Sequence, residues 1–257
     1  MNVGLYAARS SGLHALHPLT KLSLAGFSLV GGLTLPDAWT IYAFWIAVIL
    51  PFAAWGKVLA ALFQAAWRVT LPFAVSVFLI QGLLWPGGTV LVAVGPLSLK
   101  QEGLVFALVS TGRILTVVSS FILFALATRP DALVLSLTQR GLPGSLAYVV
   151  VATVQIVARF QAKAAAILDA QRARGLETEG SLWRRTRAVL PLVAPLILGS
   201  LVEVEERALA LEARAFNYPG PKTSLIEVTE APWERAARWI LMAGMIGMVG
   251  LGAWLRL

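Results

Sequence analysis

The segment Gly103–Ala127, GLVFALVSTGRILTVVSSFILFALA, contains a single charge, at Arg113. An α-helix needs about 20 predominantly apolar residues to cross the hydrocarbon core of a bilayer. This segment is longer than that, so we expect a full-length membrane-spanning helix. A charge at such depth is costly and is usually paired or functional. We expect Arg113 to form an ion pair or to reach the interface, with a substrate-binding role as the alternative; its conceivable partners are Glu102, Asp131, Glu203, Glu205 and Glu206.

The composition extends this interpretation to the whole chain. Of its 257 residues, 58% are apolar and 13% are charged, whereas a soluble domain is about half apolar and a quarter charged. There is no cysteine, which excludes disulfides and thiolate metal sites. The net charge of +8 does not indicate nucleic acid, because lysine and arginine collect in the cytoplasmic loops of membrane proteins.

The first half of the chain contains several apolar segments separated by turn residues. Leu22–Trp55 is expected to form two helices, divided at Gly31-Gly32 and at Leu35-Pro36-Asp37. A short amphipathic piece between Lys57 and Arg68 precedes a second apolar stretch, 71–85. The β-prone stretch 89–99 is too short to span a bilayer and predicts a non-cytosolic loop or a half-buried segment. Thr128 is the expected cap of a short helix that ends near Arg140.

The second half begins with an unbroken helical pattern, Gly144–Arg174. About 31 residues at 1.5 Å each give roughly 46 Å, well beyond the roughly 30 Å hydrocarbon core. Residues 145–158 are apolar, and charges occupy the remainder, which must therefore lie outside the hydrocarbon. The stretch 188–202 is apolar but short and contains two prolines, so we expect it along the interface or packed under other helices. A charged helix, 203–215, and a final span, Trp239–Trp254, follow.

The charge distribution orients the chain. Residues 159–187 contain seven Lys or Arg against three acidic residues, which predicts a cytosolic location. We expect an all-α polytopic membrane protein with roughly 4–6 transmembrane helices and further helices at the cytosolic face. Its single membrane domain, 1–257, comprises N-terminal transmembrane helices (1–142), a cytosolic-face region (143–220) and a C-terminal transmembrane helix (233–257).

One short pattern occurs twice in the cytosolic-face region, 40 residues apart: Ala-Gln-Arg-Ala-Arg-Gly at 170–175 and Ala-Leu-Glu-Ala-Arg-Ala at 210–215. Arginine offers five donors in a fixed fork that matches a carboxylate. Small flanking residues let another protein's surface approach closely, and Gly175 fits the left-handed residue that often ends a helix. The pattern predicts a docking surface for a soluble partner; the alternative is two ordinary helix ends. Its residues are Ala173, Arg174, Gly175, Ala213, Arg214 and Ala215.

Catalytic motifs are missing from the sequence. His14 and His17 are the only histidines and have no carboxylate beside them in the sequence, so we expect no metal site. There is no nucleophile–base pattern and no glycine-rich phosphate loop with Lys-Ser/Thr. The chain is therefore not expected to be an enzyme or to hydrolyse ATP, and any pumping role requires an external motor.

Three features resemble one family, the transmembrane T component of energy-coupling factor (ECF) transporters, also called CbiQ/EcfT. The first is Leu13–Leu22, LHALHPLTKL, where the family more often has aspartate in place of His17. The second is Thr128-Arg129-Pro130-Asp131 followed by Gly141-Leu142-Pro143. The third is the pair of Ala-Arg-Gly-type motifs, in which Ala215 replaces the common glycine.

This resemblance implies a coupling subunit of an importer for a vitamin or a transition-metal ion in the bacterial inner membrane. Two ATP-binding-cassette (ABC) ATPases bind the ATP, and a separate S component binds the substrate, so this chain needs no cofactor of its own. The helices ending in the two motifs would be coupling helices that cross as an X and hold the S component on their apolar faces. Arg174 and Arg214, with their small flanks, would dock into the ATPases.

Two other functions remain as alternatives. A membrane enzyme acting on lipid-linked phosphorylated substrates would use Arg113 and the basic cluster Arg184, Arg185 and Arg187 to hold phosphate. It would also need acidic or histidine residues deep in the membrane, and the apolar segments have almost none. A self-contained permease would be expected to show an internal repeat of spans, which the sequence lacks.

Overall fold

The structure is a computed structural model that describes residues 9, 11–86, 89–94, 97–176, 182–218, 220 and 228–254. The side chains of the basic cluster at 184–187 lie outside this description. The helices are α1 (Gly12–Ala15), α2 (Pro18–Thr34), α3 (Ala38–Phe44), α4 (Leu50–Trp55), α5 (Leu59–Leu84), α6 (Gln101–Ala127), α7 (Pro130–Thr138), α8 (Gly144–Ala173), α9 (Leu182–Ala213) and α10 (Pro232–Trp254). A π-helical turn, Trp45–Ile49, joins α3 to α4.

The chain divides into two compact units. The helix-pair unit covers residues 142–227 and contains α8 and α9. The bundle unit covers residues 2–141 and 228–257 and contains the other helices.

Among the described residues, five helical segments are long and apolar enough to cross a membrane: Ala38–Trp55, Leu59–Leu84, Gln101–Ala127, Gly144–Ala173 and Pro232–Trp254. This confirms the expected polytopic all-α architecture. The apolar run at 103–127 lies within α6, as its length predicts. The β-prone stretch forms a small antiparallel hairpin of Val90–Val94 and Leu97–Lys100.

The core of the bundle unit lies where α1, α4 and the start of α5 meet the end of α6. Ile49, Val58 and Leu62 are completely buried there, beside Leu123 and Leu126. The indole Nε1 of Trp45 donates a hydrogen bond to Ser119 Oγ at 3.0 Å. This bond satisfies a polar group that would be costly to bury unpaired.

Three sequence-based boundaries are wrong. Gly31 and Gly32 lie inside α2 and bring it close to neighbouring side chains, those of Phe44 and Thr116. A continuous α5 replaces the expected amphipathic piece and separate apolar stretch, because its buried face continues past the exposed Arg68. Arg129, and not Thr128, occupies the N-cap position of α7.

α9 also differs from the prediction, because it continues from Leu182 to Ala213 through Pro191 and Pro195. A proline removes one backbone hydrogen bond from a helix and tends to kink it. The residues on both sides of the two prolines remain helical. The expected division between an interfacial piece and a charged helix near residue 203 therefore does not occur.

The contact between α5 and α6 generates a test of the fold. A Cβ added at Gly103 would meet the backbone carbonyl of Gln81, which cannot rotate away as a side chain could. We expect Gly103→Ala to destabilise the protein by about 1–3 kcal/mol, the usual cost of overpacking. Gly247→Ala in α10 is the matched control, because nothing lies within 4 Å of its added Cβ. Equal melting temperatures of the two variants in detergent would contradict this packing.

Candidate functional site

The C-terminal end of α8 has a specific backbone geometry. Arg174 is the C-cap residue, and Gly175 adopts the left-handed conformation with φ +88°. The Gly175 N–H donates to the Arg172 carbonyl at 2.9 Å, and the Leu176 N–H donates to the Gln171 carbonyl at 3.0 Å. This is the Schellman arrangement, which satisfies carbonyls that a helix end otherwise leaves free.

α9 ends in the same way. The Ala215 N–H donates to the Glu212 carbonyl at 2.9 Å, and the Phe216 N–H donates to the Leu211 carbonyl at 3.0 Å. Ala215 has φ +53°, so an alanine occupies a conformation that favours glycine. Arg214 therefore holds the position in α9 that Arg174 holds in α8, and the sequence repeat is also a structural repeat.

Both motifs face outward. Ala173, Arg174, Gly175, Ala213, Arg214 and Ala215 are all exposed. Neither Arg174 nor Arg214 forms an ion pair with another described residue. Each guanidinium can therefore pair with a carboxylate of another protein.

The two motifs lie at opposite ends of the helix pair. The ring of Phe216, just beyond the end of α9, packs against the ring of Tyr148, near the start of α8, with centroids 5.2 Å apart. Arg174 is 26 residues further along α8, a distance of about 39 Å at 1.5 Å per residue. The fold thus separates the two arginines by roughly the length of α8.

A shared carboxylate joins α8 to α9. Glu203 lies 3.0 Å from Arg207 on its own helix, as the i,i+4 spacing predicts, and 3.6 Å and 3.8 Å from Arg159 and Lys163 of α8. Lys163 Nζ also donates to the Gly199 carbonyl at 2.7 Å. These contacts hold the two helices where they cross.

A mainly apolar groove of about 330 Å³ lies between α8 and α9 beside this crossing. Several of its side chains are strongly exposed, including Val149 (57%) and Val204 (60%). Its apolar lining also includes Ala152, Ile156, Phe160 and Leu211.

Arg113 does not form the expected ion pair within the described residues. Its Nη2 donates a weak hydrogen bond of 3.4 Å to the carbonyl of Leu35, which caps the C-terminal end of α2. A cation at this position suits the helix dipole and a free terminal carbonyl. The carboxylate of Glu102 instead binds the backbone N–H of Thr89, at 3.0 Å.

Sequence reasoning missed a group of charged side chains that are buried or nearly so, except for the exposed Arg140. We call it the ionic cluster; it comprises His17, Lys21, Arg140, Glu230, Glu234 and Arg238. His17 has no carboxylate beside it in the sequence, but in the fold its backbone N–H donates to Glu234 Oε2 at 2.7 Å. Thr20 Oγ1 donates to the same oxygen at 3.3 Å. Lys21 Nζ donates to the carbonyls of His14 and Ala127, both at 2.9 Å.

Glu230 is the centre of the cluster's second part. Its Oε2 accepts a hydrogen bond from Arg140 Nη2 at 2.9 Å. Its Oε1 lies 2.8 Å from Arg238 Nη1, an ion-pair distance without the angle of a hydrogen bond. Burial alone would raise the pKa of Glu230, but Arg238 and Arg140 outweigh it and hold the pKa below its ordinary value. No described group of His, Asp and Glu side chains here could hold a metal ion.

His17 has a defined role as the N-cap of α2. Its Nδ1 accepts a hydrogen bond from the Leu19 N–H at 3.2 Å, which requires an unprotonated Nδ1. Burial lowers the pKa of His17 below its ordinary value of 6.5, outweighing the opposite effect of Glu230 and Glu234. The folded state therefore favours the neutral ring.

The fold and its helix pair define a polytopic membrane component, and comparison with known proteins identifies its family. The profile of the CbiQ family, described as "Cobalt transport protein", matches residues 9–225. The chain belongs to the CbiQ family.

Similar proteins agree with this assignment. The chain is 26% identical to the energy-coupling factor transporter transmembrane protein EcfT of Listeria innocua, over 100% of this chain and 98% of that protein. It is 27% identical to EcfT of Lacticaseibacillus paracasei, over 95% and 96% of the two chains. Half of the chain (51%) is 31% identical to 18% of a Bifidobacterium longum protein named as an ABC transporter ATP-binding protein. These likenesses point to an ABC-type transporter complex.

The left-handed residue after each arginine gives one testable difference between the motifs. Ala215→Gly removes the cost of a left-handed alanine and should stabilise the end of α9 by about 1 kcal/mol. Gly175→Ala should destabilise the end of α8 by a similar amount. Hydrogen–deuterium exchange of the last turns of α8 and α9 measures both changes in stability. The control is Ala210→Gly, which lies inside α9 and should destabilise that helix. If Ala210→Gly and Ala215→Gly both stabilise or both destabilise α9, the left-handed geometry at Ala215 is contradicted.

The role of His17 predicts a pH dependence of stability. Because its folded-state pKa is lowered, its contribution is complete above its ordinary pKa of 6.5 and is lost as the pH falls below it. We expect the melting temperature of the purified protein to fall between about pH 7.5 and about pH 5.5. His17→Asn keeps an N-cap acceptor but cannot titrate, so part of this fall should disappear. A variant with the full wild-type pH dependence would contradict this role.

Proposed function

We propose that this chain is the coupling (T) subunit of an ECF-type ABC importer. It would link ATP hydrolysis by two ABC ATPases to uptake of a vitamin or a transition-metal ion through a separate S component. The observation that carries this proposal is the pair of exposed arginines, Arg174 and Arg214, in the same C-cap geometry. Each can form a charge-assisted pair with an acidic residue of one ATPase.

The spacing of the motifs supports two ATPases. Two equivalent sites about 39 Å apart along α8 suit two copies of one soluble subunit, one at each end. The small residues beside each arginine leave room for the partner's surface. The left-handed glycine or alanine ends each helix directly after the arginine, and both arginines are exposed there.

The helix pair would act as a lever. Glu203 binds side chains of both α8 and α9, so a displacement at one motif would move the other helix as well. Because Phe216 packs on Tyr148 near the start of α8, both ends of α8 would have to lie at the cytosolic face, so α8 would rest along the membrane surface although it is long and apolar enough to cross a membrane. Closure of the ATPase dimer upon ATP binding would shift the helix pair there. The exposed apolar groove between α8 and α9 would hold the S component, whose orientation would change with this shift.

The chain itself would be non-catalytic and would bind no cofactor, because ATP is bound by the partner subunits. The names of its relatives, which describe a transporter transmembrane protein, support this division of labour. The likeness to an ABC transporter ATP-binding protein supports a close association between the two kinds of subunit.

A pull-down from detergent-solubilised native membranes tests the docking role. The wild type should bring down ABC ATPase subunits. The double variant Arg174→Glu plus Arg214→Glu should lose at least about tenfold in ATPase recovery, since breaking a docked charge pair costs about 2–5 kcal/mol. The control Arg129→Glu plus Arg235→Glu has the same change in net charge at exposed arginines of the bundle unit and should behave like the wild type.

Equal membrane insertion of all three proteins is required for this comparison. Full ATPase recovery by the motif variant would show that the two arginines are ordinary helix ends. No ATPase with the wild type would contradict the proposed complex. Loss in the control as well would mean that recovery depends on overall charge and not on the motifs.

A further inference from the structure

The groove between α8 and α9 has an apolar wall and a charged end. Its volume of about 330 Å³ lies within the range of small-molecule sites, about 300–1,000 Å³. From Tyr148 to Phe160 the α8 side of the wall is mainly apolar, and the hydroxyl of Thr153 already donates to the Val149 carbonyl at 2.7 Å. An exposed apolar surface of this kind marks a site for another molecule.

Three cations line the charged end of the groove. Arg159 and Lys163 of α8 and Arg207 of α9 all lie within 4 Å of Glu203. Glu203 is the only acidic side chain among the described residues that line the groove. Three positive charges against one negative charge leave an excess of two, so this end of the groove attracts an anion.

Arg159 can bind an anion without breaking the helix crossing. Its side chain is 56% exposed and lies 3.6 Å from Glu203, which is longer than a direct hydrogen bond. Its described hydrogen bond is to the amide oxygen of Gln155 at 3.3 Å. Because a guanidinium has five N–H donors, several remain for a ligand. The crossing keeps the bond from Lys163 to the Gly199 carbonyl.

We propose that this groove binds one anionic phospholipid, with its phosphate at Arg159 and Arg207 and an acyl chain along the apolar wall. Both parts of the groove select this occupant. A soluble phosphate would leave the apolar wall exposed, and a lipid without net charge would leave the excess of cations unbalanced. The chain is a multi-pass membrane protein, so phospholipids surround it. The inference goes beyond the proposed function, because the lipid occupies the groove while no S component covers it.

Native mass spectrometry of the purified full chain in detergent tests the proposal without an ATPase or an S component. The chain is titrated with dioleoyl phosphatidylglycerol, which is anionic, and with dioleoyl phosphatidylcholine, which has the same tails and no net charge. We expect one phosphatidylglycerol per chain, bound at least about fivefold more tightly than phosphatidylcholine. Glycerol phosphate, which has the charge but no tails, should not displace it.

One pair of variants tests the charged end. Arg159→Gln should lower the affinity for phosphatidylglycerol about fivefold, the usual effect of one arginine beside an anionic lipid, and should leave the affinity for phosphatidylcholine unchanged. Arg172→Gln is the matched control, because Arg172 belongs to the same helix, is 51% exposed and lies outside the lining of the groove. It should bind both lipids as the wild type does.

A second pair tests the apolar wall without changing any charge. Ala208 is exposed and lines the groove, so the bulky side chain of Ala208→Trp should fill it and the bound phosphatidylglycerol should be lost. Ala166→Trp is the control at an exposed position of α8 outside the groove. Because all four substituted positions are exposed, we expect the circular dichroism spectrum of each variant to match the wild type.

Four results would overturn the proposal. The first is equal affinity for the two lipids, and the second is an equal effect of Arg159→Gln and Arg172→Gln. The third is displacement by glycerol phosphate, which would make this a site for soluble phosphates. The fourth is equal binding by Ala208→Trp and Ala166→Trp, which would mean that the groove does not hold the tail. None of these results depends on ATPase docking, so the lipid site and the coupling role can fail separately.

Discussion

The functional account depends on one carboxylate, Glu203, which is shared by cations of two helices. Arg207 of α9 and both Arg159 and Lys163 of α8 lie within 4 Å of it. Together with the bond from Lys163 to the Gly199 carbonyl and the packing of Phe216 on Tyr148, it fixes the crossing of two long helices that have few buried side chains. With it, the two arginine motifs belong to one body, and the distance between them is set by the length of α8. This is the property that the proposed lever between two ATPases would need.

The ends of α8 and α9 adopt the same left-handed conformation, although only α8 has the glycine that this conformation favours. Gly175 and Ala215 both adopt positive φ and complete the same pair of hydrogen bonds. A left-handed alanine costs roughly 1–2 kcal/mol, so the surrounding contacts must outweigh that cost. The packing of Phe216 on Tyr148 is one such contact. The backbone geometry at the arginine is therefore the same although the motif differs by a methyl group.

The sequence predicts those features of the fold that depend on local pattern. The apolar run at 103–127, the overlong helix before Arg174 and the left-handed Gly175 all follow from length, charge and residue type. Features that depend on which faces meet could not be predicted. The hydrogen bond between His17 and Glu234 joins residues 217 positions apart. Arg113 binds the backbone carbonyl of Leu35, and a pattern of side chains does not predict a contact with the backbone. α5 continues past Arg68 because its opposite face packs on α6, which is again a tertiary effect.

The most direct test of the central claim is cross-linking from the motifs themselves. Ala173→Cys and Ala213→Cys each introduce the only cysteine of the chain, to which a short photoreactive maleimide can be attached in native membranes. The account predicts that both positions form adducts with ABC ATPase subunits, identified by mass spectrometry, and that Phe121→Cys forms none. Adducts of both motif positions with lipid or membrane proteins alone would contradict it.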